Sequence, residues 1–167
     1  AASLGCGLDS IRHGLERSRL RARFEIIDGS PPAVLDGAHT PDSIAASASD
    51  FATVFGRNGL LLFGCAKDKD PRAMAAALGS TFHEVMVTKP GTFKESDPEA
   101  IAQAFECEGF TVERIDDTES AVARAVARAE ATGRPLLVAG SFYLCAVAAP
   151  ALDRRADARL GLDSVPT

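Results

Sequence analysis

Three observations in the sequence predict an α/β domain of three layers: a mixed, mostly parallel sheet with an antiparallel N-terminal hairpin and helices on both faces. Two short apolar runs are joined by Gly29-Ser30-Pro31-Pro32, a turn too short for anything but a hairpin. Continuous apolar runs then alternate with helix-period segments, the pattern of parallel strands joined by crossover helices. Three of those segments start at Thr40-Pro41, Asp70-Pro71 and Asp97-Pro98, where a capping side chain precedes a proline suited to the first helical turn.

Phe24–Asp28 and Ala33–Ala38 are the two strands of the hairpin. Ser43–Phe55 is a helix with Ile44, Ser47, Phe51, Val54 and Phe55 toward one side, capped by Thr40 or Asp42. Gly59–Cys65 is an unbroken apolar run between turn signals, as a central parallel strand requires. Asp70–Leu78 is an Ala-rich helix closed by Gly79. His83–Lys89 is a strand, a helix runs from Asp97-Pro98 to Glu108, and Phe110–Ile115 is the next strand. Thr118–Ala131 is a strongly patterned helix closed by Gly133. Pro135–Ala139 is the last central strand, and Gly140-Ser141 turns the chain into a final helix from Phe142 to about Arg155. Ala1–Arg19 has a helical pattern with Ile11 and Leu15 on one face, and a basic run from Arg12 to Arg23 fits poorly with the strand–helix alternation beyond it. The boundary falls near Leu20: residues 1–20 form a terminal helix and linker, 21–157 the α/β domain, and 158–167 a frayed tail.

The chain has 167 residues, enough for one core of ordinary size. Its net charge of −5 argues against general nucleic-acid binding, which needs a basic surface. No apolar run is long enough to span a membrane, and Ala1–Gly7 has no basic leader region. Cys6, Cys65, Cys107 and Cys145 form no C-x-x-C pair, which points to reduced core thiols in a cytoplasmic protein.

A parallel sheet would gather Asp36–His39, Gly64–Lys69, Thr88–Gly91 and Gly140–Ser141 at the C-terminal ends of its strands, where open α/β sheets bind ligands. Asp36 suits a ribose hydroxyl, a metal ion or a neighbouring group, and equally a plain turn cap. His39 suits a carboxylate or phosphate, and equally a bare surface. A helix N-terminus beside them favours anions. Gly64–Asp70 comes after a strand like a phosphate loop but lacks the G-x-x-x-x-G-K-[ST] spacing. Ala139–Tyr143 breaks the G-x-S-x-G spacing, so Ser141 is a helix cap or ligand hydroxyl rather than a nucleophile. The aspartyl-phosphatase pattern D-x-D-x-T fits Asp36 and Thr40 but has Ala38 where the proton donor belongs.

Four stretches, in order, carry a resemblance. Asp36-Gly37-Ala38-His39-Thr40-Pro41 resembles D-G-A-H-N-P of folylpolyglutamate synthase/dihydrofolate synthase, in the Mur ligase superfamily. Leu61–Asp70 resembles that family's next strand and D-K-D loop. Val138–Leu144 resembles its last strand, usually T-G-S-L-Y-L, and Arg23-Phe24-Glu25 resembles the P-G-R-F-E linker. Ile11–Leu15 resembles the last helix of the preceding, central domain. The resemblance implies the C-terminal, Rossmann-like domain of an ATP-dependent ligase, which activates a carboxylate as an acyl phosphate and adds glutamate through an amide bond. It implies ATP, Mg²⁺ held mainly by the central domain, L-glutamate, and a folate or dihydropteroate-type acceptor, with that central domain as partner. It places Arg23 at the nucleotide phosphates, Asp36 at the ribose, and His39 and Ser141 near the incoming glutamate. The family's Pro-Gly before the arginine is Arg21-Ala22 here, which predicts a less tightly turned hinge, and its Asn is Thr40, which can still cap. The contrasting expectation is a non-catalytic α/β module that binds a nucleotide or another anion.

Overall fold

The computed structural model describes residues 20–160. The expectations for Ala1–Arg19, for Cys6 and for the tail beyond Leu160 lie outside the described residues. The strands are β1 (Glu25–Ile27), β2 (Ala33–Leu35), β3 (Gly59–Phe63), β4 (Phe82–Val87), β5 (Thr111–Arg114) and β6 (Leu136–Ala139). The helices among the described residues are α1 (Pro41–Phe55), α2 (Pro71–Leu78), α3 (Pro98–Cys107), α4 (Thr118–Thr132) and α5 (Phe142–Leu160). One six-stranded sheet has the order β1-β2-β6-β3-β4-β5, and only the β1–β2 pair is antiparallel.

The expected fold class is therefore the observed one, and its physical basis is visible along the central strands. Successive side chains point to opposite faces. Leu61 and Phe63 of β3 join Val34, Val85, Val87 and Leu137 in a core with α1, α2 and α3. Leu60 and Leu62 join Leu35, Met86, Leu136 and Val138 in a second core with α4 and α5. Every residue of β3 and β6 is buried, which is why those runs carry no polar alternation. The chain moves from β2 outward to β5 with its helices on one face. It then returns to the centre through α4 on the other face, as right-handed crossovers require.

Helix starts track the sequence closely. Thr40 caps α1 in a reciprocal arrangement: Ser43 N donates to Thr40 Oγ1 at 3.3 Å and Thr40 N donates to Ser43 Oγ at 3.0 Å. Asp70, Asp97 and Asp117 each accept from the backbone three residues on, at 3.0, 3.0 and 2.8 Å.

β3–β6 differ from expectation by one or two residues at their ends, and four further boundaries differ for reasons the structure shows. Phe24 does not belong to β1, because it sits at a positive φ of 45°. β2 ends at Leu35, so Asp36–Ala38 leave the ladder as a strand-end loop. α1 begins at Pro41, two residues early. α5 continues past Arg155 to Leu160, and accommodates Pro150 in its interior. Where the resemblance has Pro-Gly before the arginine, Ala22 takes φ 54°, the left-handed region that normally favours glycine. Its N donates to Glu25 Oε2 at 2.9 Å, its carbonyl accepts from Gly37 N at 2.8 Å, and its methyl is buried. Three contacts hold a conformation that the residue by itself disfavours.

Candidate functional site

The site is built where β2, β6 and β3 end side by side. Three glycines let those ends approach. A Cβ on Gly64 would lie 2.6 Å from the Thr88 carbonyl oxygen, and one on Gly140 would lie 2.7 Å from the Gly64 oxygen. A Cβ on Gly37 would lie 2.3 Å from the Phe142 ring. Backbone bonds fasten the ends together: Gly140 N donates to Ala38 O at 2.8 Å, and Asp36 N to Val138 O at 3.0 Å.

All four residues singled out in the sequence reach this edge. Arg23, Phe24, Asp36, His39, Ser47 and Asp50 are among the residues lining one cavity of about 250 Å³. His39, Lys69, Lys94, Ser141 and Tyr143 are among those lining a second, of about 180 Å³. His39 is shared by the two. Asp36 Oδ1 accepts from Ala38 N at 3.0 Å, so one carboxylate oxygen caps the turn, as one of the expectations had it. Its other oxygen has no hydrogen-bond partner among the described residues. His39 Nδ1 lies 2.7 Å from Gly37 O. A carbonyl only accepts, so Nδ1 carries the proton and Nε2 is the atom left for a ligand. Ser141 Oγ accepts from Tyr143 N at 3.1 Å, the bond of a helix cap, and the residue is buried.

Phe142 organises these groups, and sequence reasoning missed it. Its ring covers Gly37, lies 5.9 Å from the His39 ring in an edge-on arrangement, and carries the Arg23 guanidinium carbon 5.0 Å above its centroid. The resemblance itself held the signal, since the family pattern has leucine at this position. Ser47 was noted only as part of a helix face. Its Oγ is enclosed without a hydrogen-bond partner among the described residues, in a residue that lines the Arg23 cavity. Such a hydroxyl is costly to leave unpaired.

Charge around the second cavity is unevenly balanced. Lys69 pairs with Asp68 at 3.2 Å and Lys67 with Glu95 at 2.7 Å, whereas Lys94 makes no ion pair among the described residues. Beneath the edge, burial pushes the Cys145 thiol up to about 12, and the nearby Asp36 charge adds to the shift. Burial likewise pushes the Cys65 thiol up to about 12. Both are inert packing groups at neutral pH. No group of three or more His, Cys, Asp or Glu side chains among the described residues could hold a metal ion, so these residues do not fit Mg²⁺ as a site of their own.

A mostly parallel α/β sheet with two cavities side by side at its strand ends defines the class: an open α/β domain of the kind that binds ligands at that edge. Comparison with known proteins identifies the family. The Mur ligase, glutamate ligase domain family matches residues 22–142, and the chain belongs to it. The chain is 40% identical, over 84% of its length, to a Halobacterium salinarum protein named "Probable bifunctional folylpolyglutamate synthase/dihydropteroate synthase", of which it covers 17%. It is 34% identical, over 81% of its length, to folylpolyglutamate synthase of Lacticaseibacillus casei, of which it covers 30%. A crystal structure of Mycobacterium tuberculosis folylpolyglutamate synthase complexed with ADP and AMPPCP superimposes with a TM-score of 0.73 at 25% identity. That match covers 95% of this chain and 36% of that one. The chain thus spans less than a third of the length of the two named relatives.

Proposed function

We propose that this chain is the C-terminal domain of an ATP-dependent amide ligase that adds L-glutamate to a folate or dihydropteroate-type acceptor. In this reading residues 21–157 are the closing domain, residues 1–20 are the end of the central ATPase domain with its linker, and residues 158–167 are a tail. The observation that carries it is the pairing of two cavities through His39, one holding Arg23 and Asp36 and the other Ser141, in a chain of the glutamate ligase domain family.

The residues divide the work by chemistry. Arg23 offers a guanidinium to phosphate oxygens, and its seat on the linker lets it move with a closing domain. The unpaired oxygen of Asp36 accepts from ribose hydroxyls. His39 Nε2 and Ser141 Oγ face the incoming amino acid, which must reach the acyl phosphate with its amine. The acceptor carboxylate takes the γ-phosphoryl group and ADP leaves; the amine then attacks the carbonyl carbon and phosphate leaves. Mg²⁺ would neutralise the phosphate charge from ligands in the central domain. Three of the described cysteines are free and two of them are buried, which suits the cytoplasm.

The test uses the 167-residue chain itself. Its two closed cores predict that it folds alone. Titration calorimetry with MgATP is expected to show weak binding, and an ADP-release assay with glutamate and a reduced folate is expected to show no turnover. Tight binding or turnover by this chain would overturn the reading that its site is completed by another domain.

A further inference from the structure

Tyr143 lines the His39–Ser141 cavity, and its ring is stacked on that of Phe93, centroids 5.5 Å apart and planes 16° from parallel. Neither ring is covered: Phe93 is 81% exposed and Tyr143 43% exposed. Phe93 lies in the segment between β4 and α3, and Tyr143 lies in the first turn of α5, so the pair bridges two strand ends. Lys94, the next residue, lines the cavity together with Tyr143 and Asp68; Asp68 pairs with Lys69 at 3.2 Å, and Lys94 makes no ion pair of its own among the described residues. The family pattern has a tyrosine where Tyr143 stands but nothing at Phe93, and the residues assigned to ATP and glutamate include neither.

We propose that Phe93 and Tyr143 form a stacking platform for the aryl ring of the glutamate acceptor, the substrate whose carboxylate is activated, with Lys94 pairing one of its carboxylates. This rests on the reading of the edge as the seat of amide ligation. Two near-parallel rings leave an outer face on which a third ring can continue the stack, a contact that tolerates many aromatic partners. With Asp68 held by Lys69, the Lys94 ammonium is left to meet an anionic group close to that ring. The combination fits an aromatic amide that carries a carboxylate tail, and fits an aliphatic acid poorly. Such an acceptor would lie with its tail toward His39 and Ser141, where the new amide bond forms, and its ring outward on the platform.

The chain provides its own probe, because Tyr143 is its single tyrosine and gives one set of ring resonances in NMR. Titration with N-(4-aminobenzoyl)-glutamate is compared with N-acetylglutamate, which has the same carboxylates and no ring. The expected result is a saturable upfield shift of the Tyr143 ring signals with the aryl ligand, at least about fivefold weaker with N-acetylglutamate. Phe93→Leu keeps an exposed apolar side chain and should weaken the aryl ligand by about fivefold while leaving N-acetylglutamate unchanged. Lys94→Gln should weaken both. Equal responses to the two ligands would overturn the platform. So would no saturable shift up to about 10 mM of the aryl compound, the result expected if the rings instead pack against the preceding domain. The shift needs neither ATP nor turnover. Loss of aryl binding with intact nucleotide assignments would refute the platform alone, and the converse would refute the assignments alone.

Discussion

The guanidinium carbon of Arg23 stands 5.0 Å from the centroid of the Phe142 ring, and the centroid of the His39 ring lies 5.9 Å from the same point. One aromatic side chain thereby contacts both Arg23 and His39. Cation–π contacts of this kind contribute about 0.5–1 kcal/mol when partly exposed. In the complete ligase, Phe142→Leu should raise the KM for ATP a few-fold and leave the fold intact, since Phe142 is itself partly exposed. Gly37→Ala should do more, because its Cβ would meet the ring at 2.3 Å and displace it. Steady-state kinetics with ATP in the two variants checks the order of the effects.

Ala22 gives a test of the turn itself. Valine at φ 54° is far more strained than alanine, so Ala22→Val should cost about 2 kcal/mol or more. Ala22→Gly relieves strain but loses a buried methyl and adds chain entropy to the unfolded state, so it should lie within about 0.5 kcal/mol of the parent. Chemical denaturation of the chain measures both.

Much of the fold was legible because it rests on local signals. Thr40, Asp70 and Asp97 before prolines mark helix starts, and Gly59–Phe63 is apolar throughout because both faces of β3 are covered. The misplaced boundaries have tertiary causes. Phe24 leaves the strand because the backbone turns at Ala22 and Phe24, and Asp36 leaves it to reach the sheet edge. Asp36, His39 and Ser141 were legible as candidates because polar side chains at strand ends are recognisable in order. Phe142 was not: its role arises from contact with Gly37 and Arg23, which lie far from it in the chain, and spacing does not carry that information. The resemblance gave a Pro-Gly before Arg23, but the positive φ of the alanine that stands there was not legible, because it is held by contacts with Glu25 and Gly37.

Glu84 gives the chain an acid-sensitive contact away from the site. Burial would raise its carboxyl, but Arg134 and Arg128 outweigh this, and the group sits below its ordinary value of 4.5. Arg134 also donates to Asn58 O and Gly59 O at 3.0 and 2.9 Å, tying the start of β3 to β4. A carboxyl lowered in the folded state stabilises the fold above its unfolded value, and that contribution is lost as pH falls through the folded value. Glu84→Gln should therefore lower stability near neutral pH and flatten its fall below about pH 4.5. Thermal melts of both proteins across that range measure the difference.

The thiols provide a check on packing. Cys65 and Cys145, pushed up to about 12 by burial, should resist a thiol reagent at pH 7, whereas exposed Cys107 should react at once. Peptide mapping after brief labelling locates the reacted residue; modification of Cys145 in the folded chain would show that the core under Asp36 is open.

The central claim is the division of the sheet edge into a nucleotide side and an amino-acid side. The most direct measurement is the pair of Michaelis constants, for ATP and for glutamate, in Arg23→Ala and His39→Ala of the complete ligase. Losing a charged hydrogen-bond partner is worth roughly 1.5–3 kcal/mol. The account predicts that Arg23→Ala raises the ATP constant by about tenfold or more and leaves glutamate nearly unchanged. His39→Ala should do the reverse. If both variants shift both constants alike, the two cavities act as one closure contact, and the assignment of separate sides is contradicted.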